Sequence, residues 1–198
     1  MKVKICGLSR PADIEAVNQY QPDYAGFIIN FPKSHRNCTP EQVQVLHAQL
    51  SDSIPAVGVT VNQPLETVAA LLEQGVIDIA QLHGQEDESY IDELKWRTGK
   101  PVWKAFRIRS ADDLDAARAS SADMILLDNG YGTGETFDWT LVRDIGRPFI
   151  LAGGLCEDNI DDAAKMQPDT MDISSGVETN RVKDPEKIRT LIERIRSI

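Results

Sequence analysis

Cysteine is scarce in this chain: only Cys6, Cys38 and Cys156 occur among 198 residues, and no two of them form a C-x-x-C pattern. A scattered, odd-numbered set predicts neither a disulfide framework nor a zinc knuckle. No His, Asp or Glu cluster has the spacing of metal ligands either, so we expect no metal site. Free thiols are typical of a reducing compartment, and we expect a cytoplasmic protein.

Long apolar runs and an excess of positive charge are also missing. No segment approaches the length of a membrane span, and the first residues do not resemble a secretion signal, so we expect no membrane association. The formal net charge is -10 and the isoelectric point is near 4.8, which leaves no basic face for nucleic acid. A small anionic substrate must therefore be bound by local Arg, Lys or backbone N–H groups.

Short apolar segments alternate with longer amphipathic ones along the whole length. Most are apolar at nearly every position, as in parallel strands that are covered on both faces. The eight segments are 2–6, 24–29, 55–61, 79–82, 102–106, 123–128, 148–152 and 170–174. Eight strand–helix repeats predict an α/β fold, a single-domain (βα)8 TIM barrel over residues 1–198. An open doubly wound sheet is the alternative, but no G-x-G-x-x-G follows the first strand.

Helix signals flank three of the amphipathic segments. Thr39 followed by Pro40 is typical of a helix start, and Gly75 is a candidate left-handed cap at a helix end. The last segment, from Pro185, predicts a helix with one apolar stripe. The stripe consists of Ile188, Leu191, Ile192 and Ile195.

Active sites of such barrels lie at the carboxyl ends of the strands. "LAGGL" after the seventh segment and "ISSGVE" after the eighth place small residues side by side at that end. Glycines allow close backbone approach, and successive N–H groups with serine hydroxyls can hold a phosphate, although glycines also serve simply to turn the chain. The candidate phosphate residues are Gly153, Gly154, Ser174, Ser175 and Gly176.

Two strand ends offer groups for proton transfer. Cys6 ends the first strand, as either a small core residue or a base. Asp128 ends the apolar "MILLD", as either a cap or ion-pair partner of Lys104, or a desolvated acid that donates a proton. Lys4 has the parity of Cys6, and barrel closure would bring it to the last strand, so we predict a Lys4–Asp172 ion pair inside the barrel. Its ammonium would favour the Cys6 thiolate.

The segment "FPKSHR" after the second strand brings Lys33, His35 and Arg36 into one loop. Most loop charges are solvated, but an arginine can bind a carboxylate through two parallel hydrogen bonds, which a lysine cannot. Arg36 is therefore the candidate for binding an anionic substrate group. His83 in "QLHG" lies at another strand end and is either a structural histidine or a substrate contact.

In order and spacing, seven motifs resemble those of the phosphoribosylanthranilate isomerases of tryptophan biosynthesis. They are "KICGLSR", "AGFIINFPKSHR", "VGVTVN", "QLHG", "LLDNGYGTGETFDW", "LAGGL" and "DISSGVE" followed by "KD". The resemblance runs from the first strand to the last helix. It implies an aldose–ketose isomerase that rearranges a phosphosugar by a cofactor-free Amadori reaction, and it leaves room for association with other enzymes of the tryptophan pathway.

The resemblance also implies residue roles. The family's general base corresponds to Cys6, its general acid to Asp128, and the arginine that holds the anthranilate carboxylate to Arg36. Its phosphate loops correspond to Gly153, Gly154, Ser174, Ser175 and Gly176. An aldose-to-ketose shift must protonate the sugar ring oxygen and remove a proton from C2, which requires one acid and one base.

The sequence departs from the family pattern in three loops. Tyr131 stands where glycine is common, Cys156 where asparagine is usual, and "ETNRVKD" lacks the typical Pro-Gly. Three other functions stay open, because many chemistries share such phosphate loops: a metal-dependent epimerase, a flavin-binding oxidoreductase and a non-catalytic sensor of phosphoribosyl ligands. The missing metal-ligand cluster disfavours the epimerase, and a sensor would need the binding groups but not the acid and base.

Overall fold

A computed structural model describes residues 1–128, 138–142 and 145–198. Its strands are β1 (Lys2–Cys6), β2 (Tyr24–Ile29), β3 (Asn37–Cys38), β4 (Ala56–Thr60), β5 (Ile79–Leu82), β6 (Val102–Arg107), β7 (Met124–Asp128), β8 (Phe149–Leu151), β9 (Thr170–Ile173), β10 (Glu178–Thr179) and β11 (Val182–Lys183). Its helices are α1 (Pro11–Tyr20), α2 (Pro40–His47), α3 (Leu65–Glu73), α4 (Glu88–Thr98), α5 (Asp113–Ala119), α6 (Ile160–Ala164) and α7 (Pro185–Ser197). Trp139–Val142 and Ser175–Val177 form short 3-10 helices.

Eight of the strands form a closed parallel barrel. Their order is β1-β9-β8-β7-β6-β5-β4-β2, and pairing of β2 with β1 closes the ring. The predicted (βα)8 fold is therefore confirmed, and each predicted strand is present. The short strand β3 and the β10–β11 hairpin were not predicted. Residues 129–137, which include Tyr131, lie outside the described residues.

Alternation along the strands divides the core into two layers. Inside the barrel, one residue set packs together, and the alternate residues of the same strands face the surrounding helices. The inner set is Val57, Ile79, Trp103, Leu126, Ile150 and Ala152. Residues that share the parity of this set at the carboxyl ends of the strands therefore point into the barrel mouth.

The predicted helix signals are confirmed. Thr39 caps α2 by accepting a hydrogen bond from Gln42 N at 3.3 Å, and Gly75 follows α3 with φ +68°. The apolar stripe of α7 is buried against the barrel. Among the residues that the structure describes, no helix combines the length and apolar character needed to cross a bilayer.

The β10–β11 hairpin turns through Asn180 and Arg181, both left-handed, with φ of 52° and 64°. Asparagine tolerates this region, but an arginine side chain does so at a cost of about 1–2 kcal/mol. We expect Arg181→Gly to raise the free energy of unfolding by about 0.5–1 kcal/mol, since glycine removes the strain but adds chain entropy. Urea unfolding measures the gain, and Asn180→Gly, the matched control, should gain less. A loss of stability in Arg181→Gly would contradict the strain assignment.

Candidate functional site

The ends of β1 and β9 hold a buried ion pair inside the barrel. Lys4 and Asp172 are direct neighbours in the strand register, and Lys4 Nζ donates to both carboxylate oxygens of Asp172 at 2.9 Å. Lys4 is fully buried. A lone charge there would be costly, but each member of the pair neutralises the other. The ion pair predicted from strand parity is thus confirmed.

Cys6 lies one inward position beyond Lys4, at the carboxyl end of β1. A Cβ atom on Gly26 of β2 would lie 2.8 Å from Cys6 Sγ and 3.1 Å from Lys4 Cε, so only glycine leaves room for both side chains. Burial raises the pKa of the Cys6 thiol, the nearby Lys4 ammonium opposes this, and Asp172 adds to the rise. The net pKa shift is upward, so the expected favouring of the thiolate by Lys4 is outweighed by burial.

Asp128 ends β7 and shares the inward parity of Leu126. Its side chain is 10 % exposed, and its Oδ2 lies 3.5 Å from His83 Nε2. The Nδ1 of the same imidazole lies 3.2 Å from the Nε2 amide of Gln81, two residues earlier on β5. His83 thus lies between the buried amide of Gln81 and the carboxyl group of Asp128, the candidate acid.

Lys104 does not serve as the ion-pair partner that the sequence offered for Asp128. It follows the inward Trp103 and therefore faces the helix side of the sheet. There its ammonium donates to Gly84 O at 2.7 Å and to Glu86 Oε2 at 2.9 Å. Strand alternation explains the error, because Lys104 and Asp128 lie on opposite faces of the barrel wall.

The loops after β8 and β9 lie in contact at the barrel mouth. Gly153 and Gly154 both have positive φ, at 90° and 67°, as the tight turn requires. A Cβ atom on Gly176 would overlap the carbonyl oxygen of Leu155, so the two backbones approach closely. Ser175 is exposed, but the Ser174 hydroxyl donates to Cys6 O at 3.0 Å. Phosphate binding by the glycines and serines of these two loops stays a prediction. Because the Ser174 hydroxyl donates to Cys6 O, the donor that Ser174 would offer to the phosphate is its backbone N–H.

Arg36 lies beside the same mouth in a network that the sequence did not reveal. Its guanidinium binds both carboxylate oxygens of Glu178, with Nε–Oε1 at 2.6 Å and Nη2–Oε2 at 2.8 Å. Lys183 Nζ binds the same carboxylate at 2.7 Å and also donates to Ser174 O at 2.9 Å. A cavity of about 180 Å³ borders this network and is open on its outer side.

Glu178 and Lys183 are thus functional candidates that sequence reasoning missed. They face each other across the β10–β11 hairpin. The signal was present in "ETNRVK", where one β-prone residue on each side, Thr and Val, flanks Asn-Arg, a weak hairpin pattern. Among the described residues, no group of three or more His, Cys, Asp or Glu side chains is arranged to hold a metal ion.

The sequence pattern of the family described as N-(5'phosphoribosyl)anthranilate (PRA) isomerase matches residues 3–194. The N-(5'-phosphoribosyl)anthranilate isomerase of Clostridium kluyveri is 44% identical over 202 residues, covering 100% of this chain and 99% of that protein. That of Thermoanaerobacter pseudethanolicus is 42% identical over 206 residues, with the same coverage.

Solved structures give the same relationship. The phosphoribosyl anthranilate isomerase of Thermotoga maritima superposes with a TM-score of 0.90 at 30% identity, and both chains are covered in full. The enzyme of Thermus thermophilus gives a TM-score of 0.86 at 33% identity, covering 100% of this chain and 99% of the other. A further phosphoribosyl anthranilate isomerase, with a TM-score of 0.87 at 30% identity, was solved with reduced 1-(o-carboxyphenylamino)-1-deoxyribulose 5-phosphate.

Proposed function

Because the chain belongs to the N-(5'-phosphoribosyl)anthranilate isomerase family, we propose that it rearranges that aminoaldose to 1-(2-carboxyphenylamino)-1-deoxyribulose 5-phosphate in tryptophan biosynthesis. In this proposal Cys6 is the general base and Asp128 the general acid. The observation that carries it is the placement of two proton-transfer groups, both over nine-tenths buried, on inward positions at the same end of β1 and β7. Residues 1–198 act as one domain.

The reaction needs only protons and bond rearrangement. Asp128 gives its proton to the furanose ring oxygen as the C1–O bond breaks and the anilino nitrogen forms a double bond to C1. The Cys6 thiolate then takes the proton from C2, and the electron pair moves toward nitrogen to give an enolamine. Transfer of a proton from solvent to C1 and loss of the enol proton to solvent yield the ketose. The proton that Cys6 gained returns through solvent to Asp128, which restores both groups. The two residues stand on strands separated by β8 and β9, which leaves the sugar between them.

The surroundings of Cys6 favour the neutral thiol in the resting enzyme and make the thiolate a strong base once it forms. The pKa of the thiol is raised by burial, so a thiolate formed there is strongly basic. Lys4 lies against it and stays charged, because Asp172 raises the pKa of Lys4 against the lowering effect of burial. The ammonium stabilises the thiolate when it forms, so Lys4 supports the base without contacting substrate.

Binding groups at the two ends of the substrate fix the sugar between acid and base. In the proposal, phosphate is bound by the loops of Gly153, Gly154 and Ser174 to Gly176, and the ring carboxylate by Arg36. A related structure was solved with a ligand that carries both anionic groups, which supports a site that accepts a carboxylate and a phosphate together. Holding both ends converts proton transfer into an oriented, effectively unimolecular step.

Turnover of freshly made N-(5'-phosphoribosyl)anthranilate, followed by loss of its fluorescence, tests the proposal. We expect substrate loss that is proportional to enzyme and unaffected by chelators or added flavin. Dependence on a metal would favour the epimerase, and dependence on flavin the oxidoreductase. An inert protein that still binds the reduced product would favour the sensor, and the proposed activity would be wrong.

A further inference from the structure

The Arg36 side chain is fixed at both of its ends. Its stem crosses Gly7, where a Cβ atom would overlap Arg36 Cδ, so the glycine admits the chain at that point. Its head forms the two-pronged contact with Glu178, and only 14 % of the side chain is exposed. A guanidinium held at stem and head keeps one plane and one direction, at little further cost in side-chain entropy on binding.

Glu178 is in turn fixed by Lys183. The side chains of this ion pair are 6 % and 2 % exposed, and Lys183 is also bonded to Ser174 O. Burial alone would raise the pKa of Glu178, but hydrogen bonds from Arg36 and Lys183 lower it to about 2, so the carboxylate stays charged. Two cations therefore share one anion, and the group retains one net positive charge.

The edge of Arg36 that Glu178 occupies is the side formed by Nε and Nη2. Nη1 makes no hydrogen bond to any of the described residues. A guanidinium has five N–H donors, and its end, formed by Nη1 and the second proton of Nη2, can bind another carboxylate. The arrangement thus leaves an oriented donor edge beside a net positive charge, at the mouth where Ser174 meets Cys6.

We propose that Glu178 is a positioning residue for recognition of the substrate's aromatic carboxylate. It holds Arg36 by the side edge, turns the Nη1 edge toward the aryl carboxylate, and is itself locked by Lys183. The inference rests on the proposed function, because it takes Arg36 as the carboxylate-binding group. It adds that discrimination for a carboxylated ring depends on a residue that never touches the substrate.

Removal of the Glu178 charge should have two effects: Arg36 loses its fixed orientation, and the positive potential around Arg36 increases. We expect the loss of orientation to be the larger effect. Burial already lowers the pKa of Lys183, and loss of its anionic partner lowers it further, so easier deprotonation of Lys183 offsets part of the added positive charge. Two parallel hydrogen bonds to a carboxylate need the guanidinium plane in register, which a freed side chain meets only part of the time. The expected loss is therefore in affinity for the carboxylate and not in proton transfer.

Calorimetric binding of two ligands tests this positioning. One is reduced 1-(o-carboxyphenylamino)-1-deoxyribulose 5-phosphate, and the other is the same compound without the ring carboxylate. We expect the wild type to prefer the carboxylated ligand by about 100-fold and Glu178→Gln to prefer it by about 10-fold, with affinity for the other ligand unchanged. In turnover, KM should rise about ten-fold and kcat stay within about three-fold.

Three further variants make the outcomes distinguishable. Arg36→Met should abolish the preference; if it does not, Arg36 is not the carboxylate-binding group, and the proposed role of Arg36 fails with the inference. If Arg36→Met abolishes the preference but Glu178→Gln keeps it, or weakens both ligands equally, only the positioning role is wrong. Glu178→Asp keeps the charge and the fold while withdrawing the head group, and should still reduce the preference. Glu193→Gln, at an exposed ion pair on α7, should change nothing.

Discussion

Replacing Cys6 with serine should lower kcat/KM for N-(5'-phosphoribosyl)anthranilate by about 10²–10⁴-fold, because the proposed base is the thiolate and an alcohol cannot replace it. The barrel stays folded, since serine is slightly smaller than cysteine and Ser174 still binds the backbone oxygen at this position. The fluorescence assay measures the loss, and circular dichroism verifies the fold. Cys38→Ser is the matched control: Cys38 is 1% exposed on β3, and its thiol contacts only backbone oxygens among the described residues, those of Leu8 and Arg36. A serine hydroxyl can bond to the same oxygens, so activity should stay within about two-fold.

The assignment of Cys6 as the base also predicts how its protonation state changes with pH. Burial raises the pKa of Cys6, so the thiolate is the minor form at neutral pH. The ultraviolet absorbance of the Cys6 thiolate, taken as the difference between the wild type and Cys6→Ser, should rise as pH increases from about 7 toward about 9. This absorbance is the readout in place of kcat/KM, because turnover also requires that Asp128 keep its proton. The Lys4 ammonium that faces the thiol stays charged over this range, because its pKa is raised. Full activity in Cys6→Ser would contradict the base assignment.

Replacing Asp128 with asparagine should lower kcat by about 10²–10⁴-fold, because Asp128 is the proposed acid and an amide of the same shape has no acidic proton for the ring oxygen. KM should change little, since the proposed binding groups for phosphate and carboxylate lie elsewhere. Single-turnover assays with saturating substrate measure the effect on the chemical step. Asp123→Asn is the matched control, because Asp123 precedes the other end of the same strand and binds Lys95 outside the mouth.

Two outcomes for Asp128→Asn would contradict the assignment of Asp128 as the general acid. An Asp128→Asn variant that turns over within about ten-fold of the wild type would show that another group, or solvent, protonates the ring oxygen. A variant in which KM rises while kcat holds would show that Asp128 binds the substrate instead. Either outcome would leave the family membership intact and overturn the acid assignment.

The barrel could be predicted from the sequence because its signals are local. Apolar strands, helix caps and their eight-fold recurrence lie within short windows, and strand parity with ring closure then placed Lys4 against Asp172. The same parity rule, applied to Lys104 and Asp128, would have shown that they face different layers. The predicted Lys104–Asp128 pair was wrong because adjacency of two strands does not by itself place two side chains on the same face.

The environment of Arg36 could not be predicted in the same way. Glu178 is 142 positions away along the chain, and a glutamate in a short loop has no local pattern that distinguishes a buried partner from a solvated charge. The space that Gly26 leaves for Cys6 and Lys4 is likewise a property of neighbouring strands. Contacts of this kind arise from packing, and sequence periodicity does not contain them.

Pairing of β1 with β9 also determines when, during synthesis, the surroundings of Cys6 are complete. The Lys4–Asp172 pair joins residues 168 positions apart, so the strand that ends in Cys6 is synthesised long before its partner leaves the ribosome. Until then the first strand has an unpaired edge, and its cysteine has no ion pair ordered beside it. The thiol gains its electrostatic setting only when the last strand docks, so a chain released before β9 is made would carry Cys6 without the charged pair beside it.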